Sequence, residues 1–95
     1  MYIRKDAKKM FGKGYYKLID RLFDRLKPEQ IEGLKSKYGR IDIYVSGTEE
    51  EQDFAYNIER ESEKTCEECG NPGEQIAING WITTLCEKCY KNKIK

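Results

Sequence analysis

All four cysteines of this 95-residue chain lie in two pairs, Cys66-x2-Cys69 and Cys86-x2-Cys89, which are separated by sixteen residues. Two C-x2-C pairs at about this separation are typical of sites in which four thiolates bind one metal ion in a tetrahedron. The intervening segment contains Asn79-Gly80 between two apolar runs, a strong signal for a β-hairpin that would bring the two pairs together. We therefore predict a structural Zn²⁺ site formed by Cys66, Cys69, Cys86 and Cys89.

Paired cysteines also serve two other chemistries. In thioredoxin-type proteins a C-x2-C dithiol cycles between thiol and disulfide, but such a pair opens a helix within a βαβ unit, a setting that neither pair has here. Iron is bound by similar sets of four cysteines, so the sequence leaves zinc and iron open as the natural metal.

Residues suited to catalysis are scarce. The chain has no histidine, which is the commonest general base, and Ser36, Ser46 and Ser62 lie outside any G-x-S-x-G elbow. Four sulfur ligands complete a tetrahedron and leave no open position on the metal for water or substrate. The segment Gly12-Lys13-Gly14 is too short for a phosphate-binding loop. We therefore expect no catalytic residues and no enzymatic activity.

Charge is unevenly distributed along the chain, although the net charge is only +1. Residues 1–40 carry twelve Lys and Arg against five Asp and Glu, residues 41–74 carry two against eleven, and residues 75–95 carry four against one. Basic and aromatic residues together favour contacts with nucleic-acid phosphates and bases. The candidates are Lys8, Lys9, Lys13, Tyr15 and Tyr16 near the N-terminus, with Lys91, Lys93 and Lys95 in the tail. We favour the alternative that the basic N-terminal segment pairs with acidic residues 49–68 of the same chain.

Trp81 is the only tryptophan and follows Asn79-Gly80 at the tip of the predicted hairpin. It either packs over the cysteine sulfur atoms or lies exposed as an anchor for a protein partner. We favour packing over the sulfur atoms.

The apolar pattern predicts an α+β fold. One apolar stripe over residues 15–26 predicts a helix, and a capping box from Thr48 to Glu51 predicts the start of another that ends near Lys64. Pro28 and the spacing of Ile31, Leu34 and Tyr38 predict a short helix between them, which ends at Gly39.

Shorter patterns complete this prediction. Alternation over residues 41–46 predicts a half-buried strand with Asp42 and Tyr44 facing outward. Residues 1–14 show no period and are predicted to form an extended arm or a short strand, and the tail adds a helical turn or frays. The expected architecture is two to three helices packed on a short strand, with a C-terminal zinc-ribbon or knuckle hairpin that carries the four cysteines.

The length favours one compact unit with two parts. Residues 1–64 are predicted to form a helical and strand core with a basic N-terminal arm, and residues 65–95 a zinc-ribbon-like hairpin with a basic tail. No run of 18 apolar residues is present, and the N-terminus lacks the apolar core of a secretory signal. We therefore expect no membrane contact and a cytoplasmic location, where paired cysteines bind metal more often than they form disulfides.

Four segments of the chain carry a common pattern: G-Y-Y-K-L-I-D at residues 14–20, K-Y-G-R-I-D-I-Y-V at 37–45, K-T-C-E-E-C-G-N-P-G at 64–73 and G-W-I-T-T-L-C-E-K-C at 80–89. In these segments the chain resembles a group of small phage and prophage proteins of zinc-ribbon type. That group shares a G-W-Y-x-L-I-D opening, a K-x-[FY]-G-x-[LI] strand entry and a T-C-E-x-C-G-x-P-G to G-W-x-x-T-L-C-x-x-C ending. This chain has Tyr15 where the group favours Trp, and Arg40 where it often has Gly. The resemblance covers residues 14–90 and implies a viral or prophage context in a bacterial cell, but it carries no established activity.

These features lead to two functional hypotheses. The first is a non-enzymatic phage-type protein with a structural zinc site, which acts as a protein-interaction module and inhibits a host factor or a host defence system. The alternative is a nucleic-acid-binding accessory protein that uses the basic N-terminal arm and the tail. The sequence leaves open the identity of the partner and the oligomeric state.

Overall fold

The computed structural model describes residues 2–93 and has an α+β fold, as the sequence predicts. Its four helices are α1 (Arg4–Lys9), α2 (Tyr16–Arg25), α3 (Glu49–Ser62) and α4 (Glu87–Lys93). Its strands β1 (Ile31–Lys37) and β2 (Arg40–Val45) form one antiparallel sheet, and β3 (Glu74–Ile78) and β4 (Trp81–Leu85) form a second. Short 3₁₀ turns occupy Lys13–Tyr15 and Pro28–Gln30.

The hydrophobic core lies between α2, α3 and the sheet of β1 and β2. The apolar stripe predicted over residues 15–26 is confirmed, since all its members are buried except Phe23, which is half-buried. Leu34 and Ile41 supply the sheet side of the core, and Ile58 supplies the α3 side.

The helix predicted between Pro28 and Gly39 is wrong, because most of this segment forms β1. The pairing of β1 with β2 shifts register between Ile31 and Gly33, so an extra residue is inserted in β1. In a regular strand, residues three apart face opposite sides of the sheet, but a bulge reverses this alternation. Ile31 and Leu34 therefore both face the core although they are three residues apart. The bulge therefore produces an apolar spacing that imitates a helix.

The prediction of an extended arm or strand at residues 1–14 is also wrong, because α1 occupies Arg4–Lys9. This helix buries a single side chain, that of Ala7, so it leaves no apolar period in the sequence. Ion pairs hold it against α2. Arg4 pairs with Asp20 and Asp24, and Lys8 pairs with Asp20 at 2.8 Å.

The capping box that opens α3 is confirmed. The Glu51 N–H donates to the Thr48 hydroxyl at 3.1 Å, and the Thr48 N–H donates to the Glu51 carboxylate at 3.0 Å. At its other end α3 lies along β2, where the Ile41 N–H donates to the Ser62 hydroxyl at 3.0 Å. Asp42, predicted to face outward, is buried and pairs with Arg40 at 3.2 Å.

The predicted C-terminal hairpin is confirmed as β3 and β4, joined by Asn79 and Gly80 with positive φ angles of 52° and 81°. Helix α4 provides the predicted helical turn of the tail, and the predicted tail contact Lys95 lies outside the described residues. Among residues 2–93, no helix is both long and apolar enough to cross a membrane. The division at residue 64 stays a prediction.

Candidate metal centre

The structure brings the four cysteines together. The four Sγ atoms all lie within 4.8 Å of one another, and the Cys69 and Cys86 Sγ atoms are 3.6 Å apart. A tetrahedral site with Zn–S bonds of about 2.3 Å separates its sulfur atoms by about 3.8 Å. All four cysteines are free thiols, so the cluster is a candidate metal site with four sulfur ligands.

The first pair lies on a tight knuckle after α3. The Gly70 N–H donates to the Cys66 carbonyl at 2.8 Å, and the Cys66 N–H donates to the Asn71 carbonyl at 2.7 Å. Gly70 has a φ angle of 86°, in the left-handed region that glycine adopts without a steric penalty. The sequence motif C-x2-C-G therefore corresponds to a knuckle whose turn depends on this glycine.

The second pair follows the hairpin. Cys86 comes directly after β4 and Cys89 lies in α4, so a strand end and a helix set the positions of the two sulfur atoms. The Cys89 N–H approaches the Cys86 Sγ atom at 3.5 Å, and the Tyr90 N–H donates to the Cys86 carbonyl at 2.9 Å.

The surroundings of the sulfur atoms shift their acidity in opposite directions. Burial opposes ionisation of Cys66, but backbone N–H groups of Cys86, Cys69 and Glu68 outweigh it and lower the pKa of this thiol to about 7. Contact with the Cys86 thiol, followed by burial, raises the pKa of Cys89 to about 12. Four thiolates this close repel one another, so a divalent cation at their centre compensates their charge and releases their protons on binding.

The N-terminal segment supports the knuckle from behind. The Gly14 N–H donates to the Glu67 carbonyl at 2.9 Å. A Cβ atom on Gly14 would lie 1.9 Å from the Cys66 carbonyl oxygen, and one on Gly12 would lie 2.2 Å from that of Glu67. Both glycines are therefore required for the close approach of two backbones. The sequence contains a signal for this contact, because two glycines that flank one residue before a helix indicate that another part of the backbone packs closely there. The signal does not identify that other segment.

Tyr15 is not available to a partner, which corrects its prediction as a contact residue. Its side chain is 1% exposed and belongs to the core. Burial raises the pKa of its hydroxyl, and the nearby Glu67 carboxylate adds to this effect.

Of the other N-terminal residues predicted to contact a partner, two already contact residues of the same chain and two are exposed. Lys8 pairs with Asp20 and lies 5.5 Å from the ring centre of half-buried Tyr16, so both are already engaged within the chain. Lys9 and Lys13 are exposed.

The sequence favours pairing of the basic N-terminal segment with acidic residues 49–68. This prediction is wrong, because the ion pairs among residues 2–93 join the two segments to other partners. The N-terminal cations that pair, Arg4 and Lys8, contact α2. The acidic segment is instead contacted by Arg21 at Glu61, Arg40 at Glu63 and Lys93 at Glu68.

Trp81 does not cover the sulfur atoms, which corrects the favoured interpretation. Its side chain is 77% exposed at the start of β4. It lines a groove of about 360 Å³ with Gly80 and Ile82, and the opposite wall is formed by Ser36, Lys37 and Tyr38 at the end of β1. We call this the hairpin groove. The sequence gives no sign of it, because its two walls are more than forty residues apart.

Comparisons of the chain with protein-family models, with curated proteins and with solved structures found no match.

Proposed function

We propose that this chain is a non-enzymatic protein-interaction module whose shape depends on a structural Zn²⁺ ion. The observation that carries the proposal is the exposure of Trp81, on a hairpin that joins the two halves of the cysteine cluster. Tryptophan is enriched among the residues that dominate protein–protein binding energy.

Zinc is the metal that we propose for the cluster. Four thiolates in a tetrahedron are the usual ligands of structural zinc, and Cys66, Cys69, Cys86 and Cys89 would hold the ion. Zinc has no redox chemistry, so it suits a purely structural role. Because all four positions are filled by sulfur, the ion would supply rigidity rather than a bound water for catalysis, which supports a non-enzymatic function.

The metal would organise the binding surface indirectly. Cys86 follows β4 and the knuckle pairs with the same strand, since the Glu67 N–H donates to the Thr84 carbonyl at 3.0 Å. Because Cys66 and Cys69 precede β3 and Cys86 follows β4, the ion would hold both ends of the hairpin that carries Trp81. A rigid surface loses less conformational entropy when it binds, so such support favours affinity.

The partner that we propose is a bacterial host protein, such as a component of a defence system. The resemblance of residues 14–90 to phage and prophage proteins supports this choice, as does an expected location in the bacterial cytoplasm. An inhibitor of this kind requires only a binding surface.

The test is affinity capture from bacterial lysate with the zinc-loaded chain, followed by mass spectrometry. Trp81→Ala is compared with Tyr56→Ala, which removes another exposed aromatic side chain, on α3. We expect a host protein that the wild type and Tyr56→Ala retain and that Trp81→Ala loses. Recovery of nucleic acid alone would contradict the proposal.

A second candidate function is nucleic-acid binding, favoured by one cleft. Lys13, Lys17 and Arg21 line a cleft of about 360 Å³ beside Cys69 and Gly70. Arg21 pairs there with Glu61, which also lines the cleft, whereas within residues 2–93 Lys13 and Lys17 form no ion pair. Gel shifts over a salt series test this, since binding through phosphates weakens steeply with salt. The double variant Lys13→Glu, Lys17→Glu should abolish the shift, whereas Lys27→Glu should retain it. The absence of a shift at low salt excludes this candidate.

A further inference from the structure

Tyr38 has an unfavourable backbone conformation. It occupies the first central position of the two-residue turn between β1 and β2, with a φ angle of 51°, and Gly39 follows with a φ angle of 74°. A turn of this kind favours Asn-Gly, the pair that the other hairpin uses at Asn79 and Gly80. Positive φ is strained for a bulky side chain such as tyrosine.

Folding does not explain why tyrosine occupies this position. The side chain is 63% exposed, and the cation over its ring is that of neighbouring Lys37, at 5.5 Å. The Tyr38 carbonyl accepts a hydrogen bond from the Gln75 side chain at 2.9 Å, but any residue provides a carbonyl. Strained residues cluster at functional sites, so this strain points to a role for the exposed ring.

The position of Tyr38 in the hairpin groove suggests that its ring contacts a binding partner there. Tyr38 belongs to one wall and Trp81 to the other, and Ile82, 40% exposed, adds an aliphatic side chain. Hydrogen bonds fix the two walls, because Gln75 of β3 and Thr84 of β4 donate to the Tyr38 and Gly39 carbonyls. The groove is therefore preformed, and a binding partner does not need to order it.

Charge defines the chemistry of the occupant. Lys37 is the only charged residue among the six that line the groove, and Lys35 lies exposed two residues earlier on the same strand. Within residues 2–93, no carboxylate lines it. An occupant that complements both features carries a large apolar side chain next to Asp or Glu. The Tyr38 and Trp81 rings also suit a nucleic-acid base, but a single lining lysine neutralises few phosphates, so the groove favours a peptide.

We propose that the hairpin groove binds an acidic peptide segment of the partner protein, with one large apolar side chain inserted between Tyr38 and Trp81. This inference rests on the proposed function, because it specifies what the interaction module recognises. Lys37 then attracts the flanking carboxylates of the segment.

The test selects short random peptides, displayed on yeast, against the full zinc-loaded chain. We expect the enriched peptides to combine an aromatic or large aliphatic residue with Asp or Glu. Their affinity should fall about tenfold or more with Trp81→Ala or Tyr38→Asn, as expected for an interface anchor. Lys37→Glu should weaken them as well, and Tyr56→Ala should leave them unchanged. Tyr38→Asn keeps a residue suited to the turn, so its effect reports the lost ring rather than misfolding.

Three results would overturn the inference. They are a selection without enrichment, enriched peptides that lack acidic residues or ignore the groove variants, and oligothymidine binding that Trp81→Ala abolishes. The lysate experiment separates this failure from that of the proposed function. A host protein that still depends on Trp81 would preserve the proposed function, whereas no host protein in that experiment would remove the function itself.

Discussion

The Tyr15 hydroxyl lies 2.9 Å from the Ser62 carbonyl oxygen, a contact between residues 47 positions apart. The same hydroxyl lies 2.9 Å from the Gly39 carbonyl, which also accepts a hydrogen bond from the Thr84 hydroxyl. One buried hydroxyl thus connects the start of α2, the end of α3 and the β1–β2 turn, and through Gly39 it reaches the hairpin that leads to the metal site.

Removing this hydroxyl should destabilise the fold. Tyr15→Phe keeps the ring in the core but removes a buried hydrogen bond. Because the Gly39 and Ser62 carbonyls each keep another donor, the free energy of unfolding should fall by about 0.5–1.5 kcal/mol. Urea denaturation with zinc present measures this. Tyr16→Phe is the matched control, because the Tyr16 hydroxyl makes no hydrogen bond within the part of the chain that the structure describes. Equal stability of Tyr15→Phe and wild type would contradict the role of the hydroxyl.

The raised pKa of Tyr15 predicts that the folded protein loses stability in alkali. Burial raises the pKa of Tyr15 above its ordinary value of 10.0. The contribution of Tyr15 to the free energy of unfolding is complete below about pH 10. It declines at higher pH, because the unfolded chain then releases a proton that the folded chain retains. Urea denaturation at increasing pH should show a decline that is smaller in Tyr15→Phe. Parallel declines in both proteins would contradict the prediction.

Gly14→Ala should disturb the metal site without touching a cysteine. The added methyl group meets the Cys66 carbonyl, so the knuckle must shift or the N-terminal segment must separate from it. We expect the free energy of unfolding to fall by about 3 kcal/mol, the upper end for overpacking, with weaker zinc binding. Competition with a chromophoric chelator measures the affinity. Lys13→Ala changes the exposed residue between the two glycines and should behave as wild type, and a Gly14→Ala variant with unchanged affinity would contradict the packing.

Tyr38→Asn should stabilise the fold while it removes binding. Asn tolerates the left-handed conformation, so the free energy of unfolding should rise by about 1 kcal/mol. Thermal or urea unfolding measures this, with Tyr44→Asn, an exposed tyrosine within β2, as the control that should not be stabilised. A destabilised Tyr38→Asn would show that the ring supports the fold.

The elements that follow one regular local pattern could be predicted from the sequence. The stripe of α2, the Thr48 cap and the Asn79-Gly80 turn each depend on residues that are neighbours in the chain. The paired cysteines were equally clear, because a four-sulfur site requires that residue type at that spacing.

Features that depend on irregularity or distant contacts could not be predicted. The bulge in β1 gave Ile31 and Leu34 a helical spacing, and α1 is held by ion pairs rather than by an apolar face. Burial of Tyr15 and exposure of Trp81 are set by elements far away in sequence. The residues next to a tyrosine or a tryptophan in the sequence do not show whether its side chain is buried or exposed.

Metal analysis of the chain purified under reducing conditions tests the central claim most directly. We predict one zinc ion per chain and only traces of iron, with zinc lost when Cys66 and Cys86 are both replaced by serine. A preparation that contains neither zinc nor iron, or a double variant that retains its zinc, would contradict the claim that the four cysteines form a structural metal site.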